Sequence, residues 1–121
     1  MATIKNLEVM NGLLFLRDPG IDNIPEMGEY GSCWSNPDCV VFSCQFDCFG
    51  PTKVSLGPSN ELRRAPVLIF DGVLNTPSRT VIVETVMSEP ALTCSVEKAT
   101  TRVRIWTLGN PDSEIVDIGL D

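Results

Sequence analysis

The sequence contains no histidine among its 121 residues. Histidine is the commonest general base near neutral pH, and it completes the usual nucleophile triads and most catalytic zinc sites. The sequence also has no glycine-rich phosphate loop and no dinucleotide-binding fingerprint. Carboxylate pairs such as Asp38 with Asp47, or Glu26 with Glu29, are the remaining acid–base candidates, and nothing in their spacing marks them as a pair. The sequence therefore predicts a protein that is not an enzyme and that uses no cofactor.

Long hydrophobic runs are also absent. No stretch approaches the roughly 18 consecutive apolar residues of a membrane-spanning helix, and residues 1–8 place no basic stretch before a hydrophobic one, as a secretion signal would. We therefore expect a cytoplasmic protein. Apolar residues make up 43% of the chain and charged residues 21%, which is the balance of a folded protein with a packed core. At this length we expect a single domain over residues 1–121.

Five cysteines are present, an odd number that cannot all form disulfides within one chain. They are Cys33, Cys39, Cys44, Cys48 and Cys94. Their spacing lacks the close Cys pairs of a structural zinc site, so we expect free thiols and no bound metal. Apolar and polar residues alternate from Phe42 to Cys48, which predicts a strand with one buried face.

Short runs of β-branched and other apolar residues recur along the chain, and Gly, Pro or Asn interrupts nearly every gap between them. The runs are 3–9, 13–17, 40–47, 52–56, 67–70, 80–86, 92–97, 101–108 and 114–118. Asn11-Gly12, Asp71-Gly72 and the longer segment 109–112 are suited to hairpin turns. The pattern predicts an all-β fold, a two-sheet antiparallel β-sandwich of about eight short strands, with a partly open β-barrel as the alternative.

Basic residues are missing from one part of the chain. Residues 18–52 contain six acidic residues and no Lys or Arg, so they carry most of the formal net charge of −7. The six are Asp18, Asp22, Glu26, Glu29, Asp38 and Asp47. Concentrated negative charge speeds encounter with basic surfaces and repels nucleic acid and anionic membranes. We therefore expect a basic protein partner, and no direct binding to nucleic acid or membrane.

An irregular segment at residues 18–38 holds five of these carboxylates together with two aromatic residues. Three prolines and three glycines interrupt it, so we expect a long acidic loop. Ordered loops of this length tend to carry function. Aromatic side chains among acidic ones are typical of a protein–protein interface, where the aromatics give contact area and the charges set partner choice. The predicted partner-binding residues are Glu26, Glu29, Tyr30, Trp34 and Asp38.

Other interpretations remain open at this point. Trp34 is also consistent with a side chain that folds back over the open end of the sandwich. Alternatively, Tyr30, Trp34 or Trp106 could form a stacking platform for a carbohydrate or another small ligand. Exposed sheet edges are suited to self-association as a homodimer. Arg102 and Arg104 share the solvent-exposed face of one strand with Trp106. Because the chain carries a net negative charge, this arrangement favours Arg packed on Trp over binding of nucleic acid.

From Trp34 onward the order of features resembles the competence protein J family. The resemblance is carried by Trp34-Ser35-Asn36, by Val40-Val41-Phe42, by residues 82–88 and by Ile105-Trp106-Thr107. Members of that family act as intracellular inhibitors of a DNA-entry nuclease, so the resemblance implies an inhibitor or immunity-type protein. It does not cover the first 33 residues. It agrees with the charge argument, because a nuclease surface that attracts phosphates is basic and an acidic protein is suited to occlude it.

Overall fold

Ten β-strands form the regular structure in the computed structural model, which describes residues 2–28 and 31–121. They are β1 (Thr3–Leu7), β2 (Leu13–Arg17), β3 (Cys33–Asn36), β4 (Cys39–Ser43), β5 (Thr52–Pro58), β6 (Val67–Asn75), β7 (Thr80–Glu84), β8 (Pro90–Ser95), β9 (Thr100–Thr107) and β10 (Ile115–Leu120). Three single turns of 3₁₀ helix join them: η1 (Met10–Gly12), η2 (Asp47–Phe49) and η3 (Ser59–Glu61). In the part of the chain described here, no helix has the length and apolar character needed to cross a membrane.

The strands form two five-stranded sheets. Sheet A has the strand order β1-β5-β10-β9-β6, and sheet B the order β3-β4-β2-β7-β8. Within the described residues, every strand pair is antiparallel except β5 with β10. The predicted β-sandwich is confirmed, and the barrel alternative is wrong because the two sheets remain separate. The described residues contain ten strands rather than about eight: each of the nine predicted runs overlaps a strand, and β3 is an additional strand in the segment that the sequence predicted to be irregular.

The core lies between the sheets and follows the two-residue period of the strands. Sheet B contributes Leu14, Leu16, Val40, Phe42, Val81 and Val83, and sheet A contributes Val54, Leu56, Val103, Ile105, Val116 and Ile118. Each of these side chains is at most 1% exposed. Burial of one such side chain stabilises the fold by roughly 1.5–3 kcal/mol, so this alternation is the main reason that the strands pair in the observed register.

Two of the three predicted hairpin turns are wrong. Asn11 and Gly12 do adopt positive φ, at 60° and 61°, but they join β1 of sheet A to β2 of sheet B and make no hairpin. Asp71 and Gly72 lie inside β6, where they pair with β9. Segment 109–112 does connect two paired strands, β9 and β10.

The strand that follows Asn36 is shorter than the alternation predicted. Ser43 ends β4, and the chain then enters η2. Phe42 and Cys44 are buried as predicted, but Phe46 is 48% exposed and Cys48 is also exposed. Gly50 follows at φ 123°, a conformation that breaks the extended run.

Trp106 lies on the outer face of β9, as the strand period requires, yet it is only 8% exposed. The guanidinium carbons of Arg64 and Arg104 each lie 5.2 Å from the centre of the indole ring. Arginine packed on Trp is therefore the arrangement that the structure shows. With both guanidinium groups over the ring and only 8% of the side chain exposed, Trp106 offers little free surface on which a ligand could stack.

Candidate partner-binding surface

The connection between β2 and β3 lies against the outer face of sheet B. Phe15, Val41 and Trp34 stand side by side in the register of β2, β4 and β3, on the face opposite the core residues that alternate with them. Val41 is fully buried even though it faces outward. Three contacts join the connection to this face: Arg17 with Ile21, Asn36 with Asn23, and Trp34 with Gly31. The described parts of the connection, residues 18–28 and 31–32, are therefore held at this face.

Arg17 is the first anchor of the connection. Its Nε donates a hydrogen bond of 2.6 Å to Oε1 of Glu84, and its Nη1 donates one of 2.8 Å to the carbonyl oxygen of Ile21. Only 15% of the Arg17 side chain and 8% of the Glu84 side chain are exposed. The hydrogen bond that Arg17 donates to Glu84 raises the pKa of Arg17 above its usual value, and the Coulombic attraction of the same carboxylate adds to this increase against the opposing effect of burial. The pair joins β2, β7 and the connection.

Asp18 is a structural residue and does not contribute charge to the surface. It is fully buried. Its Oδ1 accepts a hydrogen bond of 2.7 Å from the Gly20 N–H, and its Oδ2 accepts one of 2.8 Å from the Ser78 N–H. Burial alone would raise the pKa of this carboxyl, but the hydrogen bonds from Gly20 and Ser78 outweigh burial and hold it below the usual value.

Asp38, a predicted partner-binding residue, lies in the turn between β3 and β4 and holds the connection in place. Its Oδ2 accepts from Asn23 Nδ2 at 2.8 Å and its Oδ1 accepts from Asn75 Nδ2 at 2.9 Å. These two hydrogen bonds, that from Asn23 first, lower the pKa of Asp38. Asn36 Nδ2 donates to the Asn23 carbonyl at 3.1 Å. Asp38 therefore has both oxygens engaged within the protein.

Trp34, another predicted residue, is half-buried on the outer face of sheet B. It pairs with Val41 in the ladder between β3 and β4, so it does not close the end of the sandwich. Gly31, at φ 111°, lies against the indole: a Cβ atom there would be 3.6 Å from Trp34 Nε1. Glu29 and Tyr30, the remaining predicted pair, lie outside the described residues.

The exposed part of the connection carries acidic and apolar side chains together. Asp22 and Glu26 are exposed, and among the described residues neither has a hydrogen-bond or salt-bridge partner. Ile24 is 40% exposed and Met27 is 45% exposed, while Pro25 between them is buried. Sequence reasoning missed Ile24 and Met27, although two large apolar residues within a run of acids were the available signal. We call these four side chains, Asp22, Ile24, Glu26 and Met27, the acidic ridge.

Asp47 is remote from the acidic ridge. It follows β4, and its N–H donates to the Val9 carbonyl at 3.1 Å, beside η1. Asp38 precedes β4, so the five residues of that strand, roughly 17 Å, separate the two aspartates. They cannot serve as an acid–base pair. Among the described residues, no three His, Cys, Asp or Glu side chains come together as a metal site would require.

All five cysteines carry free thiols. Cys39 and Cys44 are buried, and burial raises the pKa of Cys39 to about 12 and that of Cys44 to about 11. Burial also raises the pKa of the partly exposed Cys33 and Cys94. Cys48 is exposed. The four thiols with raised pKa are poor nucleophiles at neutral pH.

The fold and the surface together define a class: a two-sheet β-sandwich with an anchored acidic connection covering one sheet. No protein-family model matches the chain, and no curated protein matches it. A solved structure, that of ComJ, inhibitor of the DNA degrading activity of NucA, from Bacillus subtilis, is similar, with a TM-score of 0.68 and 11% sequence identity over 98% of this chain and 93% of that one. The likeness shows the fold alone. It confirms at that level the resemblance noted from Trp34 onward and extends it to the first 33 residues.

Proposed function

We propose that this protein is a non-catalytic cytoplasmic inhibitor or immunity-type protein, which binds a basic protein partner such as a nuclease through the segment 18–38. The observation that carries the proposal is the acidic ridge, in which two exposed carboxylates that make no hydrogen bond or salt bridge among the described residues stand in one segment with two exposed apolar side chains. The ridge gives both components of a specific contact: area to bury and charge to select a basic partner.

The contacts around the ridge support a preformed binding surface. Arg17 and Asn36 hold the backbone of Ile21 and Asn23, and Asp38 holds the side chain of Asn23. A surface that is ordered before binding loses less conformational entropy on association than a free loop does. In this proposal Asp38 therefore acts by positioning, whereas Glu26 contacts the partner directly.

A nuclease suits this surface because the protein that cuts DNA must attract phosphates. An exposed carboxylate placed where a phosphate would lie competes for the same basic side chains. The solved structure with the similar fold is that of an inhibitor of a DNA-degrading activity, which favours this class of partner. Trp34, Glu29 and Tyr30 complete the proposed contact region, as the sequence predicted.

The test is capture of the partner from the native cell at low and at high salt. The variant Asp22→Asn/Glu26→Gln removes two charges from the ridge, and the control Glu97→Gln/Glu114→Gln removes two exposed charges elsewhere. We expect the control to capture a basic protein, more at low salt than at high salt, and the ridge variant to capture at least tenfold less of that protein. Both variants should be as stable as the wild type. Equal capture by the two variants, or a captured partner that is not basic, would contradict the proposal.

A further inference from the structure

A second surface lies at the end of the sandwich that carries η1 and η2. A cleft of about 350 Å³ opens there between the end of β1 and the turn that joins β7 to β8. Its walls include Leu7, Glu8, Met10, Asp47, Met87 and Glu89. None of these residues belongs to the acidic ridge. The start of β2, beside η1, and its end at Arg17, where the connection that carries the ridge begins, are separated by roughly 17 Å of strand, so the cleft and the ridge are different sites.

The cleft and its surroundings expose large apolar side chains. Met10 is 45% exposed and Met87 is 61% exposed within the cleft. Phe46 and Phe49, on either side of Asp47 in the chain, are 48% and 75% exposed. Phe49 is the most exposed large apolar side chain in the part of the protein that the structure describes. Two exposed methionines in one cleft mark an interaction surface, because large apolar side chains on a protein surface are ordinarily isolated from one another.

The framework beneath these side chains is rigid. Gly12 has a φ of 61°, and a Cβ atom there would come within 2.6 Å of both the Cys44 carbonyl oxygen and the Phe46 ring. The Asp47 N–H donates to the Val9 carbonyl at 3.1 Å, and the Cys44 N–H donates to the Gly12 carbonyl at 2.8 Å. Phe46 is therefore held with one side against Gly12 and the other toward solvent.

The charge of the cleft has one sign. Glu8, Asp47 and Glu89 line it, and none of the described residues in its walls is a Lys or Arg. A basic residue, Lys5 of β1, lies beside the cleft: its ammonium donates a hydrogen bond of 3.0 Å to the carbonyl oxygen of Ala91, which is one of the wall residues. Three carboxylates next to two flexible, exposed methionines are complementary to a basic side chain with apolar neighbours.

We propose that this cleft docks a short segment of a protein partner in which a Lys or Arg is flanked by apolar residues. The basic side chain enters between Glu8, Asp47 and Glu89, and its apolar neighbours lie on Met10 and Met87. The proposal goes beyond the proposed function, because it uses a different surface and stands whether or not the acidic ridge binds a nuclease.

The test is selection from a phage-displayed library of random 12-residue peptides on the immobilised full-length protein. The wild type, the ridge variant Asp22→Asn/Glu26→Gln and the cleft variant Asp47→Asn/Glu89→Gln/Met87→Ser are panned in parallel, after thermal melts have shown that all three are folded. We expect the wild type and the ridge variant to enrich the same motif, one Lys or Arg between apolar residues, and the cleft variant to lose it. A chosen peptide should bind the wild type at least tenfold more tightly than the cleft variant.

Four results would overturn the proposal. One is the absence of an enriched motif on the wild type, and another is enrichment of the same motif on the cleft variant. The third concerns a second copy of this chain as the occupant: if light scattering finds a wild-type dimer that Met87→Ser converts to a monomer, the cleft is a contact between copies and not a peptide site. Loss of the motif on the ridge variant alone would assign the peptide to the ridge, and would also contradict a separate cleft site.

Discussion

Nε of Arg17 lies 2.6 Å from Oε1 of Glu84, beneath the segment that carries the acidic ridge. The pair is largely buried, and Arg17 also donates to the Ile21 carbonyl. One side chain thus joins the ladder between β2 and β7 to the proposed binding surface. The Arg17 side chain that pairs with Glu84 therefore also holds the backbone at Ile21, where the ridge begins.

Replacing Arg17 should be strongly destabilising. Arg17→Leu leaves the Glu84 carboxylate buried without its partner, and breaking a buried pair in this way costs roughly 3 kcal/mol or more. The measurement is the free energy of unfolding in urea. Arg102→Leu is the matched control, because Arg102 and Asp71 form an exposed pair whose side chains are 53% and 39% exposed, and we expect it to change stability little. Equal effects of the two substitutions would show that the Arg17 pair is not buried in solution.

Acid should destabilise the protein through Asp18. The folded pKa of Asp18 lies below its ordinary value of 3.8, so the unfolded chain takes up its proton first as the pH falls. The contribution of Asp18 to stability is present above about pH 4 to 5 and is lost as the pH falls through the folded pKa. Urea unfolding from pH 7 to pH 2.5 measures it. Asp18→Asn should be less stable than the wild type at neutral pH, and the difference should shrink in acid; two parallel curves would contradict this assignment.

The thiols should react in an order set by burial. Cys48 is exposed, whereas the buried Cys39 and Cys44 have their pKa values raised to about 12 and about 11. With an aromatic disulfide reagent at pH 8, we expect Cys48 to react first and Cys39 and Cys44 to react only on unfolding. Cys48→Ser should remove the fast phase and leave the slow phases unchanged. A fast phase that survives in this variant would show that another thiol is accessible in the folded protein.

Asp38 and Glu26 should affect partner binding in different ways. Asp38→Ala removes the acceptor for Asn23 and Asn75, so we expect faster amide hydrogen exchange over residues 19–28 together with weaker partner capture. Glu26→Gln should weaken capture and leave exchange unchanged, because Glu26 is exposed and makes no described contact that would be lost. If Asp38→Ala weakens capture without altering exchange, Asp38 is a direct contact residue, as the sequence first predicted.

The sandwich was predictable because strand burial repeats every second residue. Runs such as 52–56 and 101–108 show that period plainly, and each coincides with an observed strand. The strand β3 was missed because it has four residues between Gly31 and Pro37, too few for a period to show. The position of Asp71-Gly72 was also mistaken, since a dipeptide suited to a turn is tolerated within an edge strand when pairing with β9 continues across it.

The candidate site was predictable in location and not in detail. Local charge directed attention to residues 18–38, but the sequence cannot distinguish an acid that faces solvent from one that binds the backbone. Asp18 finds its donor at Ser78, 60 residues away, and Asp38 finds one at Asn75, 37 residues away. Such partners are fixed by the packing of the two sheets. Ile24 and Met27 gave a signal as two large apolar residues in an acidic run, but the sequence could not show that both side chains remain exposed.

Inhibition of DNA degradation tests the central claim most directly. Purified wild type, the ridge variant Asp22→Asn/Glu26→Gln and the control Glu97→Gln/Glu114→Gln are added in equal amounts to an extract of the native cell, and the rate of plasmid degradation is followed at 50 and 300 mM salt. We predict that the wild type and the control slow degradation at low salt, that the ridge variant needs at least tenfold more protein for the same effect, and that high salt weakens all three. Degradation that proceeds at the same rate with and without the wild type, or equal inhibition by the ridge variant and the control, would contradict the account.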